Sequence, residues 1–253
     1  MEYVRLGKTD LLVSRTAFGA MSLKDVPDAN AAALLIRRAY DAGINFFDTS
    51  HNQPGSEKLL GDSLHDIRQN VIVATKTSAQ SGKEVLRDID ESLNAMHCDY
   101  IDLYQYEIDS FIPEKDGADG IYATLLNLKK AGKIRHIGAA VEEYETAGKV
   151  VRSGMYETLQ FPFCMISPVI TSSLVDLCAK SDTGFVAMQP LCGGILSNIP
   201  LAFGFLHQYE NVIPLWGART VEEITQILYF NDHQPVVDDA FKQDVEKARA
   251  FFN

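Results

Sequence analysis

At 253 residues, 46% hydrophobic and 23% charged, the chain has the size and balance of a soluble globular protein with a substantial core. A net charge of −11, with no basic stripe to offset it, argues against a nucleic-acid or anionic-membrane partner. Met1 to Gly7 lack the apolar core of a signal peptide, and no apolar run is long enough to span a bilayer. Cys98, Cys164, Cys178 and Cys192 are scattered without metal-ligand spacing, so a cytoplasmic protein with reduced thiols and no metal is expected.

Tyr3 to Leu6 and Leu11 to Ser14 flank Gly7-Lys8-Thr9-Asp10, which is turn chemistry, and predict a hairpin over residues 2–15. Beyond it strand and helix patterns alternate. Strands are predicted at 16–20, 45–50, 71–76, 100–106, 134–140, 158–163, 184–189 and 212–216. Helices are predicted between and after them, at 29–42, 56–66, 83–97, 118–131, 144–153, 168–181, 200–209 and 220–230. Gly43 and Gly132 stand where helix C-caps favour glycine, and Thr220-x-x-Glu223 is a capping box. Val236 to Phe252 reads as an extra terminal helix, with Val237, Phe241, Val245, Ala248 and Phe252 near helical spacing.

Eight strands, each followed by a helix, predict an α/β fold of the (β/α)8 barrel type, with residues 1–253 forming one domain. A doubly wound open sheet is the competing arrangement, but no Gly-x-Gly-x-x-Gly follows the first strand. Two strand-like runs end on charge. Ile44-Asn45-Phe46-Phe47 leads to Asp48, and Val71-Ile72-Val73-Ala74-Thr75 leads to Lys76. In a parallel barrel the C-terminal strand ends carry the chemistry, which makes Asp48 and Lys76 the first candidates for a site.

The order of several segments resembles that of the aldo-keto reductases along nearly the whole chain. These segments are Arg5-Leu6-Gly7-Lys8-Thr9, Ala42 to Ser50, Gly55 to Gly61, Ala74-Thr75-Lys76, Asp99 to Gln105, Gly132 to Gly138, Pro190 to Gly194 and Gly217 to Thr220. The resemblance implies NADP or NAD as cofactor and a small carbonyl compound as substrate. In that family a tyrosine donates a proton to the carbonyl, a lysine–aspartate pair makes the tyrosine more acidic, and a histidine orients the substrate. Matched by position, Asp48 and Lys76 stand for the aspartate and lysine, but the tyrosine falls on Gln53 and the histidine on Glu107. A glutamine amide supplies no proton near neutral pH, and loss of a general acid commonly costs about 100- to 10,000-fold. An ionised Glu107 would oppose a developing alkoxide; buried near Lys76 it would pair with the lysine or carry a proton. His51, on the same loop as Gln53, is the candidate substitute acid.

The resemblance also implies a cofactor site formed by Gln160, Met188, Pro190, Leu191, Gly193, Gly194, Gly217 and Arg219. Gly217 to Thr220 lead to a helix N-terminus suited to phosphate, and Arg219 is placed to stack on adenine or meet a 2′-phosphate. Glu222 and Glu223 in that first turn suit the helix dipole but repel added phosphate. Weak dinucleotide binding with little preference for the 2′-phosphate is expected, with Trp216 as its fluorescent reporter. The stretch Ile195 to Ile199 is short where relatives carry a long clasping loop, which implies an open groove. Two further readings remain at this stage: a non-redox isomerase or lyase using Lys76, Asp48 and Glu107, and a non-catalytic ligand-binding relative. The oligomeric state is not readable from the chain.

Overall fold

The computed structural model describes residues 1–26, 28–109 and 111–252. The hairpin forms as β1 (Tyr3–Arg5) and β2 (Leu12–Ser14), antiparallel, with Val4 opposite Val13. Eight strands then follow one another around a closed parallel barrel. They are β3 (Ala17–Gly19), β4 (Phe46–Asp48), β5 (Ile72–Thr77), β6 (Ile101–Ile108), β7 (Ile134–Val141), β8 (Thr158–Pro162), β9 (Gly184–Met188) and β10 (Val212–Trp216). β10 pairs back onto β3 and closes the ring.

The helices are α1 (Ala29–Asp41), α2 (Ser56–Leu64), α3 (Gly82–Ala95), α4 (Ile121–Lys130), α5 (Tyr144–Ser153), α6 (Thr171–Lys180), α7 (Ile199–His207), α8 (Val221–Asp232) and α9 (Asp239–Phe252). The predicted (β/α)8 barrel is therefore the observed one. Three helices start three residues later than the sequence pattern suggests, among them α9, at Asp239 rather than Val236. α4 waits until Ile121 because Gly120 takes a left-handed conformation and the Asp119 carboxylate accepts the Ile121 N–H. α6 begins at Thr171, after a hydrogen-bonded turn in which Thr171 N–H donates to the Pro168 carbonyl. Among the described residues no helix is long and apolar enough to cross a membrane.

Side-chain alternation divides the core in two. Ala17, Phe46, Ala74, Leu103, Val186, Ile213 and Leu215 fill the barrel interior, and Leu6 and Val13 of the hairpin plug its N-terminal end. The opposite face of the strands packs against the helices in a larger shell that includes Phe47, Val73, Tyr104 and Phe185. The plug fits closely. Gly7 has φ +51°, and a Cβ there would lie 2.2 Å from the Gly184 nitrogen, so glycine is required for both conformation and space.

Glu157 ties strand starts together at the same end of the barrel. Its carboxylate accepts from His136 (2.8 Å), Lys129 (2.6 Å) and the Ile137 N–H (3.0 Å). Burial alone would raise its pKa, but these three bonds more than offset burial and hold it at about 2. Because the folded-state pKa lies below the ordinary value of 4.5, this contribution to stability is complete above that value. It is lost as pH falls from there toward about 2. Urea melts at neutral pH and near pH 3 should show Glu157→Gln losing on the order of 2–3 kcal/mol at neutral pH, and much less in acid.

Candidate active site

Above the apolar filling lies a polar layer at the C-terminal end of the barrel. β4 delivers Asp48 and β5 delivers Lys76, both inward-facing and only 2% and 3% exposed. Lys76 Nζ donates to Asp48 Oδ2 at 2.7 Å and to the Thr49 carbonyl at 2.6 Å. Gln105 Nε2 on β6 donates to the second carboxylate oxygen, Asp48 Oδ1, at 3.0 Å. Burial pushes the Asp48 carboxyl up, and Lys76 pulls against it together with the amides of Gln105 and Gln160. An ammonium carries three N–H donors. Two of Lys76's are spent on Asp48 and Thr49, which leaves one for a ligand.

That ligand has room. Asp48, Lys76 and Glu107 line a cavity of about 940 Å³ that opens from the barrel mouth. Gln160 and Met188 continue its wall from the ends of β8 and β9. Pro190, Leu191, Gly193 and Gly194 follow on the turn after β9, and Gly217 and Arg219 on the turn after β10. The turn after β9 holds a compact, partly left-handed backbone, with Gln189 at φ 57°, Cys192 at 49°, Gly193 at 67° and Gly194 at 97°. A Cβ at Gly193 or Gly194 would meet nothing within 4 Å, so glycine there serves backbone conformation rather than relief of contact.

Two candidates fall elsewhere. Gln53 is not on the cavity wall; its backbone N–H bonds the Ser50 carbonyl and its carbonyl accepts from Ser56 N–H in the turn before α2. His51 faces out of the barrel, toward α2 and α3. Its Nδ1 meets Glu57 Oε2 at 3.2 Å and Ser92 Oγ at 3.3 Å, while Nε2 lies 3.5 Å from Glu91 and 3.7 Å from Asp88. The substitute-acid assignment for His51 is thereby corrected, since Thr49 and His51 continue the edge of β4 alongside β5 and their side chains alternate away from Asp48. Replacing His51 by alanine should leave turnover and its pH profile unchanged but lower stability by about 1–2 kcal/mol, because buried Glu57 loses a partner. Activity profiles and chemical melts of that variant check both halves.

Glu107 sits where the sequence reading puts it but with other partners. Its Oε2 accepts from Asn52 Nδ2 at 2.5 Å and its Oε1 from Ser50 Oγ at 3.5 Å. No ion pair joins it to Lys76 among the described residues, so the pairing expectation is corrected: Asp48 and the Thr49 carbonyl already hold the ammonium. Tyr104 and Tyr106 point outward, Tyr106 donating to the Ala79 carbonyl at 3.0 Å. Burial pushes the Tyr106 phenol up to about 12.

A family model described as "Aldo/keto reductase family" matches residues 15–202. The L-galactose dehydrogenase of Arabidopsis thaliana is 34% identical over 240 residues, covering 88% of this chain and 72% of that protein. The chain belongs to the aldo/keto reductase family. The NADH-specific methylglyoxal reductase of Escherichia coli is 26% identical, over 78% of this chain and 70% of that enzyme. An aldo-keto reductase of Bacillus halodurans solved in its holo form superposes with a TM-score of 0.86 at 21% identity, covering 98% of this chain and 96% of that one. This reductase is thus an oxidoreductase of the NAD(P)H-dependent, carbonyl-reducing type.

The cavity of the reductase fits a nicotinamide dinucleotide at one end by an independent sign. Gln160 is 2% exposed and its Oε1 has no hydrogen-bond partner, although it borders the cavity. A buried acceptor of this kind suits the N–H donors of a carboxamide. At the other end the fit is different. The Glu223 carboxylate accepts the Arg219 backbone N–H at 2.7 Å, while Thr220 Oγ1 accepts the Glu223 N–H at 3.1 Å. The Arg219 guanidinium is taken by Asp25, at 3.2 Å. The start of α8 therefore already holds its own carboxylates. Sequence reading missed Gln105, Asn52 and Asp25. Only Gln105 carried a signal, standing two residues before Glu107 and so on the same face of β6. Trp216 is also reassigned: its ring stacks on Phe203 of α7 at 5.6 Å, outside the cavity, so it is not placed to report a ligand there.

Proposed function

We propose that the reductase reduces a small carbonyl compound with Lys76, rather than a tyrosine, as the group that meets the carbonyl oxygen. The observation that carries this is the buried Lys76 ammonium on the cavity wall, with Asp48 and Thr49 occupying two of its three donors. Its remaining N–H supplies a preorganised positive donor where negative charge develops on oxygen, and gives that oxygen the proton that completes the alcohol, to be regained from solvent. Asp48, fixed by Gln105, holds the ammonium in place. Gln160, Met188 and the Pro190–Gly194 turn would hold the nicotinamide and pyrophosphate, and Gly217 and Arg219 the adenosine end. When bound, the nicotinamide supplies the hydride.

Glu107, kept by Asn52 and Ser50, borders the substrate side and positions rather than donates. The named relatives are a dehydrogenase and a reductase, which supports redox chemistry over isomerase, lyase or purely binding roles. For the cofactor we favour NADH over NADPH, because Glu223 and Asp25 already occupy the anion-binding groups beside α8. Four free thiols suit a reducing cytoplasm. Calorimetric titration tests the reading. A measurable heat with NADH, followed by oxidation of NADH on adding a small aldehyde, is expected. A flat trace with both dinucleotides would overturn it.

A further inference from the structure

We infer that the substrate is an uncharged, hydroxyl-bearing carbonyl compound, and that Asp109 and Glu142, beside Glu107, select it against phosphorylated or carboxylated ones; this rests on the reductase reading above. Glu107 lies at the end of β6 with Asp109 just beyond it, and Glu142 and Glu143 follow the end of β7, so four carboxylates form one side of the cavity. Among the described residues no lysine or arginine pairs with any of them. Glu143 is held as an anion, because the Thr146 side chain, and then the Glu145 and Thr146 N–H groups at the start of α5, bond its oxygens and lower its pKa.

The cations of the wall do not compensate. Lys76 is matched by Asp48 and Arg219 by Asp25, which leaves Lys24 against this group of carboxylates. The hydrogen-bonding inventory points the same way. Carboxylates only accept. Asn52, which holds Glu107, spends both N–H groups on Glu107 and Ser78. Among the described residues the charged donor left for a ligand on this side is Lys76, 3% exposed, with its third N–H unspent. One donor among several acceptors is the complement of a molecule with one carbonyl oxygen and several hydroxyl groups. A phosphate or carboxylate on the substrate would bring like charge against this wall, which disfavours its binding.

The experiment compares D-glyceraldehyde with D-glyceraldehyde 3-phosphate, which share a skeleton and differ in charge. At low ionic strength kcat/KM should favour the neutral aldehyde by about 100-fold. That ratio should shrink about tenfold in Asp109→Asn/Glu142→Gln, and also in salt of about 0.5 M, where exposed charges are screened. Equal or better use of the phosphate ester, or a preference untouched by the double substitution, would overturn the inference. Ligand-observed NMR on the protein without dinucleotide gives a readout independent of hydride transfer. Preferential binding of the neutral aldehyde without turnover would defeat the reductase reading and leave the selective wall standing. Turnover without charge preference would defeat the wall alone.

Discussion

Lys76→Met is expected to lower carbonyl reduction by about 1,000-fold, within the range that loss of a general acid produces. The effect has two sources. The substitution removes the positive donor from the cavity wall, and it leaves Asp48 buried without its partner. Breaking one side of a buried ion pair typically costs about 3–5 kcal/mol, so the variant should also melt earlier. Asp48→Asn/Lys76→Met separates the two sources, because no uncompensated charge then remains in the barrel. The double variant should recover most of the stability and none of the turnover. A double variant as active as the native protein would show that Lys76 serves only to hold β4 and β5 together. Steady-state rates with a small aldehyde, read beside urea melts, decide between these outcomes.

The second large effect concerns the dinucleotide. Neutralising both carboxylates beside α8 with Asp25→Asn/Glu223→Gln should raise NADPH affinity by about tenfold or more and change NADH affinity little. Glu223 Oε2 holds the Arg219 N–H and Asp25 holds the Arg219 side chain, so in the native protein a 2′-phosphate meets two anions beside α8 and a guanidinium already paired. In the variant the guanidinium is released for the phosphate and the helix N-terminus loses its internal anion. Calorimetry with each dinucleotide measures the ratio directly. Native protein that binds NADPH more tightly than NADH would contradict the assignment.

The barrel was legible because its period-two runs and cap residues agree with one another along the chain. Ala17, Phe46, Ala74, Leu103 and Val186 alternate inward, and Gly43, Gly132 and Thr220 mark helix ends where the structure has them. The same alternation places Asp48 and Lys76 inside, and read two or three residues further it turns His51 outward. Loop proximity to Gln53 outweighed that signal in the sequence reading, which is why His51 was assigned a chemical role. Other features had no local signal. Asp25 and Arg219 are 194 positions apart and meet only because β3 and β10 are neighbours in the closed ring. Asn52 reaches Glu107 across 55 positions by the path of a loop, and no periodicity describes such a path.

Transfer of label from NADH deuterated at its transferable position to D-glyceraldehyde tests hydride transfer through this site most directly. Mass spectrometry of the alcohol should show one deuterium with the native protein and essentially none with Asp48→Asn/Lys76→Met. Product without label, or no product with either NADH or NADPH under conditions where the native protein is folded, would contradict it.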